Sequence, residues 1–179
     1  MTSDADLDRA VIVALGSNLP GATGDPSATL EEALRRLNAA GLMVRRRSRW
    51  WRSRAWPDPA KPDYLNGVVL VETALDPAQV LAVLHAIEAG LGRERRTPNA
   101  DRTLDLDLIA HGRWVVEGQG ITLPHPRAAD RYFVMGPLAE IAPGWRHPEN
   151  RQRAETLAAS ATVGRDAAPI SPDAPDLGT

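Results

Sequence analysis

No cysteine occurs among the 179 residues, only one phenylalanine and two tyrosines are present, and neither sign of charge dominates. The first absence removes disulfides, thiolate catalysis and cysteine-ligated zinc together. With 21 Lys and Arg against 23 Asp and Glu, bulk charge draws the chain neither to nucleic acid nor to a membrane surface, so anions must be held by a local cluster. Scarce Tyr and Phe also argue against the stacked aromatics of an RNA-binding sheet. The start, MTSDAD, is acidic where a secretory signal is basic, and the apolar run Ala10 to Leu15 falls far short of the ~20 residues that a spanning helix needs. A cytoplasmic location with no nucleic-acid or membrane partner is therefore expected. The length suits one well-buried domain.

What is present alternates between two periods. AVIVALG, residues 10 to 16, is a nearly continuous apolar run that suits a central strand. Asp25 and Pro26 then supply an N-cap and a first helical residue, and Leu30, Leu34 and Leu37 recur at helical spacing until Gly41. Met43 to Trp51 reads as an arginine-rich edge strand, residues 52 to 63 are broken by three prolines, and Asn66 to Thr73 is a third strand. Asp76 and Pro77 repeat the capping signature before Val80, Leu84, Ile87 and Leu91, a second amphipathic helix. A basic loop leads to a fourth strand. This βαββαβ order predicts a ferredoxin-like α/β sandwich, mostly antiparallel, with both helices on one face and the other face free for a site. A further strand pair around Trp114 to Val116 and Ile121 to Leu123, and a short helix over Arg131 to Ile141, follow. The domain is expected to span residues 8–160. From Ala161 the chain is rich in Pro, Asp, Ala and Gly, and residues 161–179 read as a mobile tail. No second catalytic segment is expected within the chain.

The segment RTLDLDLIA, residues 102 to 110, carries the chemistry. Alternation places Asp105 and Asp107 on one face of the fourth strand and Leu104, Leu106 and Leu108 on the other. Two adjacent carboxylates repel each other, and at a rise of roughly 3.3 Å per residue they can clamp one or two divalent ions. Oxygen donors favour Mg²⁺, which completes its shell with water and phosphate. A half-exposed strand neutralised by Arg102 is the plainer alternative. GSNLPGATG lacks the G-x-x-x-x-G-K-[ST] spacing of a phosphate loop. Arg93, Arg95, Arg96 and Arg102 instead cluster just before the aspartates, where guanidinium forks match phosphate oxygens. In LPHPRAADRYFV, His125, Arg127 and Arg131 offer further donors to phosphate. DYLN contributes Tyr64, a flat aromatic, and Asn66, whose amide both donates and accepts. Each of these residues alone also suits an ordinary loop or strand start.

Taken together, ALGSNL near the start, DYLN at 63–66, IE with GRER at 87–95, RTLDLDLI at 102–109, LPHPRAADRYFV at 123–134 and PLAEIAP at 137–143 resemble the 6-hydroxymethyl-7,8-dihydropterin pyrophosphokinase family. The resemblance runs from about Val11 to Pro143. It implies an enzyme of folate synthesis that moves the β,γ-diphosphate of ATP to a reduced pterin and releases AMP. It also implies that Asp105 and Asp107 hold two Mg²⁺ ions, and that Tyr64 and Phe133 sandwich the pterin while Asn66 reads its edge. Ser53 and Trp56 would stand beside the pterin. Arg93, Arg95, Arg102, His125 and Arg131 would engage ATP, with Glu88 near the nucleotide; the catalytic group would be Arg93, Arg95, Asp105, Asp107 and Arg131. A monomer or weak homodimer is expected. The chain departs from the family pattern where Ala100 and Asp101 replace a Gly-Pro pair, where Ser53 and Arg54 replace Thr-Pro, at Trp56, where a small aliphatic is usual, and at His85, where glutamine is common. A non-catalytic ligand-binding domain of the same fold is the competing reading.

Overall fold

A computed structural model describes residues 4–21, 23–55, 58–92 and 103–171. A short helix α1 (Asp4–Asp8) precedes β1 (Val11–Ser17), α2 (Pro26–Ala39), β2 (Met43–Arg47), β3 (Trp51–Ser53), β4 (Tyr64–Glu72), α3 (Pro77–Gly90) and β5 (Asp105–His111). Then come the hairpin β6 (Val116–Gly118) and β7 (Ile121–Leu123), a 3₁₀ turn, α4 (Tyr132–Ile141), α5 (Ala154–Ser160) and β8 (Ala168–Pro169). The sheet order is β5-β1-β4-β3-β8, with β2 also on β4 and all pairings antiparallel. This is the expected ferredoxin-like topology.

Local chemistry accounts for the helix starts. Asp25 accepts the Ser27 amide at 2.7 Å with Pro26 at the first helical position. Asp76 and Gln79 close a reciprocal capping box at 2.8 and 2.9 Å, which satisfies two donors that the first turn leaves orphaned. The apolar stripes Leu30, Ala33, Leu34, Leu37 and Val80, Leu84, Ile87 pack on Val11, Val13, Leu15, Val69, Val71 and the Leu104, Leu106, Leu108 face of β5. Both helices therefore lie on one side, as the periodicity predicts.

The opposite side is only partly free, which corrects the expectation of an open face. Ile12, Ala14, Val68 and Leu70 point there and are covered by Val134, Met135, Leu138 and Ile141 of α4, Leu157 of α5 and Trp145. Strands apolar on both faces must be covered on both. Other boundaries shift as well. The edge strand breaks after Arg47, where Ser48 Oγ takes the Val68 amide at 3.0 Å, and within β2 the register slips between Val44 and Arg46. Strand β3 continues through Ser53, β4 starts at Tyr64, and Trp114 precedes β6.

Residues 161–170 are held against the domain, where a loose tail was expected. Val163 O accepts the Tyr132 amide at 2.8 Å, β8 pairs with β3, and the Ile170 amide donates to Trp50 O at 2.9 Å. Residues 172–179 lie outside the described residues.

Close packing fixes α4 on the sheet. A Cβ on Gly136 would stand 2.7 and 2.9 Å from the Trp51 ring. That indole is pinned by its Nε1–H, which donates to Glu140 Oε2 at 2.8 Å, and by an edge contact with Tyr132. Gly136→Ala is expected to destabilise the fold by about 1–3 kcal/mol, the usual cost of overpacking a core. Thermal melting measures this; an unchanged midpoint would mean that the α4–β3 contact yields freely.

Candidate active site

Strand register gathers the site. Asp105 stands opposite Gly16 and Asp107 opposite Ala14, while Asn66 pairs with Gly16 from the other side, and Trp51 and Ser53 pair with Asn66 and Tyr64. Side chains two apart share a face, so Ser53, Tyr64, Asn66, Asp105 and Asp107 all lie on the α4 side of the sheet. Beyond the helix N-terminus a shallow cleft opens to solvent, lined by Ala14, Leu15, Gly16, Asn66, Asp105, Asp107, Phe133 and Val134. Gly16 and Ala14 keep its floor low. A Cβ on Gly16 would enter the cleft in ordinary contact with Asn66 Oδ1 at 3.6 Å.

Asn66 is 7% exposed and donates through Nδ2 to Ser53 Oγ at 2.9 Å. Its carboxamide is thus oriented before any ligand arrives. Phe133 sits in the first turn of α4, and the Arg131 guanidinium lies 5.7 Å from its ring centroid. His125 is anchored by its own amide, which donates to Ile109 O at 2.8 Å, and its Nδ1 accepts the Arg127 amide at 3.2 Å. Burial first, then the charges of Arg131 and Arg127, lower the His125 pKa; Asp105 opposes them. A neutral imidazole beside two guanidinium groups and a carboxylate results.

Burial also lowers the pKa of His147, which packs edge-on to Trp145. Below the ordinary value of 6.5 the unfolded chain therefore binds protons that the folded chain refuses, and stability falls with pH. Carboxylates act in a lower window. Burial pushes Glu31 and Glu140 up, but hydrogen bonds from Arg47 and Trp50 onto Glu31, and from the Arg49 amide, Trp51 and the Arg49 side chain onto Glu140, hold both below 4.5. Their contribution is present above 4.5 and lost as pH falls through the folded values. Urea midpoints are expected to drop first from pH 7.5 to 5.5, then again by pH 3.5; a flat response across the first interval would contradict the desolvation of the half-buried His125 and the buried His147.

Two carboxylates on neighbouring same-face positions suit a hard divalent cation. Among the described residues no group of three or more His, Cys, Asp or Glu side chains could encage an ion. Mg²⁺ in general takes one or two carboxylates and leaves the rest of its shell to water and phosphate.

Not every expected residue joins the cleft. Ser53 lies beneath Asn66, and Tyr64 is half-buried on the same face without lining the cavity. Glu88 lies on the helix side of the sheet, 1% exposed, where its Oε1 accepts the Leu106 amide at 2.8 Å. It satisfies an edge-strand donor between the two aspartates. His85 is exposed on α3. Trp56, Arg93, Arg95 and Arg102, with Ala100 and Asp101, lie outside the described residues. Two polar residues of the ALGSNL motif had no assigned role. Ser17 and Asn18 are 0% and 2% exposed, and Ser17 Oγ donates to Thr103 O at 2.6 Å, tying β1 to the approach of the aspartate strand. Burial of two polar side chains straight after an apolar run was the available signal.

Fold and site together define a ferredoxin-like α/β sandwich whose cleft pairs carboxylates with an oriented amide, an aromatic ring and a basic helix start. The pattern of the 7,8-dihydro-6-hydroxymethylpterin-pyrophosphokinase (HPPK) family matches residues 12–143. A Synechocystis 2-amino-4-hydroxy-6-hydroxymethyldihydropteridine pyrophosphokinase is 44% identical over 78% of this chain and 69% of its own length. The Porphyromonas gingivalis protein of the same name is 34% identical over 78% of this chain and 94% of its own. A crystal structure of Plasmodium falciparum HPPK-DHPS superposes with a TM-score of 0.67 at 12% identity, over 84% of this chain and 44% of that one. The chain thus spans less than half of that solved chain, and the likeness bears on the fold alone. The chain belongs to the 7,8-dihydro-6-hydroxymethylpterin-pyrophosphokinase family.

Proposed function

We propose that the cleft above Gly16 is where this chain carries out the family reaction, with Asp105 and Asp107 as its cation ligands. The chain transfers the pyrophosphoryl group of ATP to 6-hydroxymethyl-7,8-dihydropterin in folate synthesis. The pterin hydroxyl oxygen attacks the β-phosphorus, the bond from that phosphorus to the α,β-bridging oxygen breaks, AMP leaves, and the hydroxyl proton is lost. Such transfers depend on alignment and charge neutralisation. When bound, Mg²⁺ supplies that neutralisation and acidifies the attacking hydroxyl.

The single observation that carries the reading is the register which sets Asp105, Asp107 and Asn66 around Gly16 on one sheet face. Asp105 and Asp107 hold the cation. Asn66, oriented by Ser53, meets the polar edge of the pterin, and Phe133 with Tyr64 covers its flat faces. Arg131 and neutral His125 donate to phosphate oxygens. Arg93, Arg95 and Arg102 would add guanidinium groups from the loop before β5, and Trp56 a further pterin contact. A cytoplasmic, monomeric or weakly dimeric enzyme suits a reaction that draws on ATP and a small pterin. No helix among the described residues is long and apolar enough to cross a membrane.

Nucleotide analysis after mixing the protein with ATP, Mg²⁺ and the hydroxymethyl pterin tests this. AMP should form only with all three present and should vanish with EDTA. ADP as product would make the chain a single-phosphoryl kinase, and nucleotide binding without turnover would make it a ligand-binding domain.

A further inference from the structure

The segment that follows the family match reaches back to both walls of the cleft. Tyr132 donates its amide to Val163 O at 2.8 Å at the start of α4, and Arg165 lies 4.6 Å from the Tyr132 ring centroid. The Arg165 guanidinium also donates to Ala158 O at 3.0 Å and to Ala159 O and Ala161 O at 3.4 Å, closing the C-terminal end of α5, where a cation complements the helix dipole. Gly164 has φ +71°, and a Cβ there would collide with the Phe133 ring. Gly164 thus backs the ring from outside the cleft. On the other wall, Asp166 Oδ2 accepts the Arg54 amide at 2.6 Å across 112 residues of sequence, and β8 pairs with Trp51 and Arg52. Arg54 follows Ser53, the hydroxyl that orients Asn66.

We propose that residues 163–168 are a clasp that positions Phe133 on one side and Ser53 with Asn66 on the other, so that Asp166 and Gly164 are positioning residues for the pterin. The inference rests on the reading that the pterin lies between those groups. Neither residue touches the substrate. Asp166 acts through the Arg54 backbone, and Gly164 leaves the Phe133 ring the space it occupies. The clasp joins groups that belong to separate parts of the chain, β3 and α4, and that must keep a fixed gap for a flat ligand to enter.

The test compares Asp166→Ala, Asp166→Asn and Gly164→Ala with the wild type. The KM for the pterin and for ATP, kcat and thermal midpoints are measured, with Phe133→Ala as a control. Asp166 is exposed, so its variants are expected to keep the fold, which the thermal midpoints check. Asp166→Ala should raise the pterin KM roughly 5- to 10-fold, as loss of a charge-assisted hydrogen bond does, with the ATP KM within about twofold. Asp166→Asn keeps an acceptor oxygen and should restore most of the pterin KM. Gly164→Ala should raise the pterin KM at least as much. Unchanged pterin KM in both alanine variants, or equal rises for both substrates, would overturn the clasp. If Phe133→Ala also left the pterin KM unchanged, the location of the pterin itself would fall; a loss there with an unchanged pterin KM in both Asp166→Ala and Gly164→Ala rejects the clasp alone.

Discussion

Asp107→Ala is expected to lose turnover by on the order of a thousandfold or more, equivalent to about 4 kcal/mol of transition-state stabilisation, while the protein stays folded. Asp107 faces the cleft opposite Ala14, two positions from Asp105, so truncation removes half of the carboxylate charge proposed to hold the cation. The strand has other anchors. Leu106 and Leu108 are buried in the helix-side core, and the Leu106 amide is held by Glu88. Removing one of two adjacent like charges relieves repulsion, so the melting midpoint should hold or rise slightly. Asp107→Asn, which keeps the shape and discards the charge, should be nearly as inactive. The measurement is AMP formation across a Mg²⁺ titration, with circular dichroism melts of each variant. Activity like the wild type in Asp107→Ala would sink the assignment of this carboxylate to the metal; equal activity in the Asn variant would show that shape matters and charge does not.

Legibility followed the range of the forces involved. Helix starts at Asp25 and Asp76 were readable because capping is settled within four residues. The two faces of 104–108 were readable because strand alternation admits no other arrangement once the leucines are buried. The cover over Ile12, Ala14, Val68 and Leu70 was implied by strands apolar on both faces, yet which helix supplies it depends on contacts far along the chain. The edge break at Ser48 and the docking of Asp166 on Arg54 are long-range bonds with no local signature. Glu88, which the family resemblance places near the nucleotide, also has a structural role that the helical period makes legible. It falls four after Leu84 on the buried stripe of α3, where a carboxylate must find a donor. The site itself was readable as residue types, while its assembly around Gly16 required the register.

Tyr64→Ala should weaken pterin binding roughly ten- to a hundredfold, the usual range for removing an aromatic platform from a heterocycle, and leave ATP affinity within about twofold. Tyr64 stands on the cleft face of β4, one same-face step from Asn66, and pairs with Ser53. Its proposed partner is the flat face of the pterin, so its loss should be confined to the pterin. Phe133→Ala should cost the pterin a similar factor but spread further, because the Arg131 guanidinium rests over that ring and loses its cation–π support. A modest fall in ATP affinity is therefore expected for Phe133→Ala and not for Tyr64→Ala. Tyr64→Phe keeps the ring and should bind pterin almost normally. Calorimetric titration of each variant with the pterin and, separately, with Mg²⁺ and ATP distinguishes these outcomes. Equal losses of both ligands in Tyr64→Ala would argue against stacking, and a large loss in Tyr64→Phe would transfer the role from the ring to its hydroxyl.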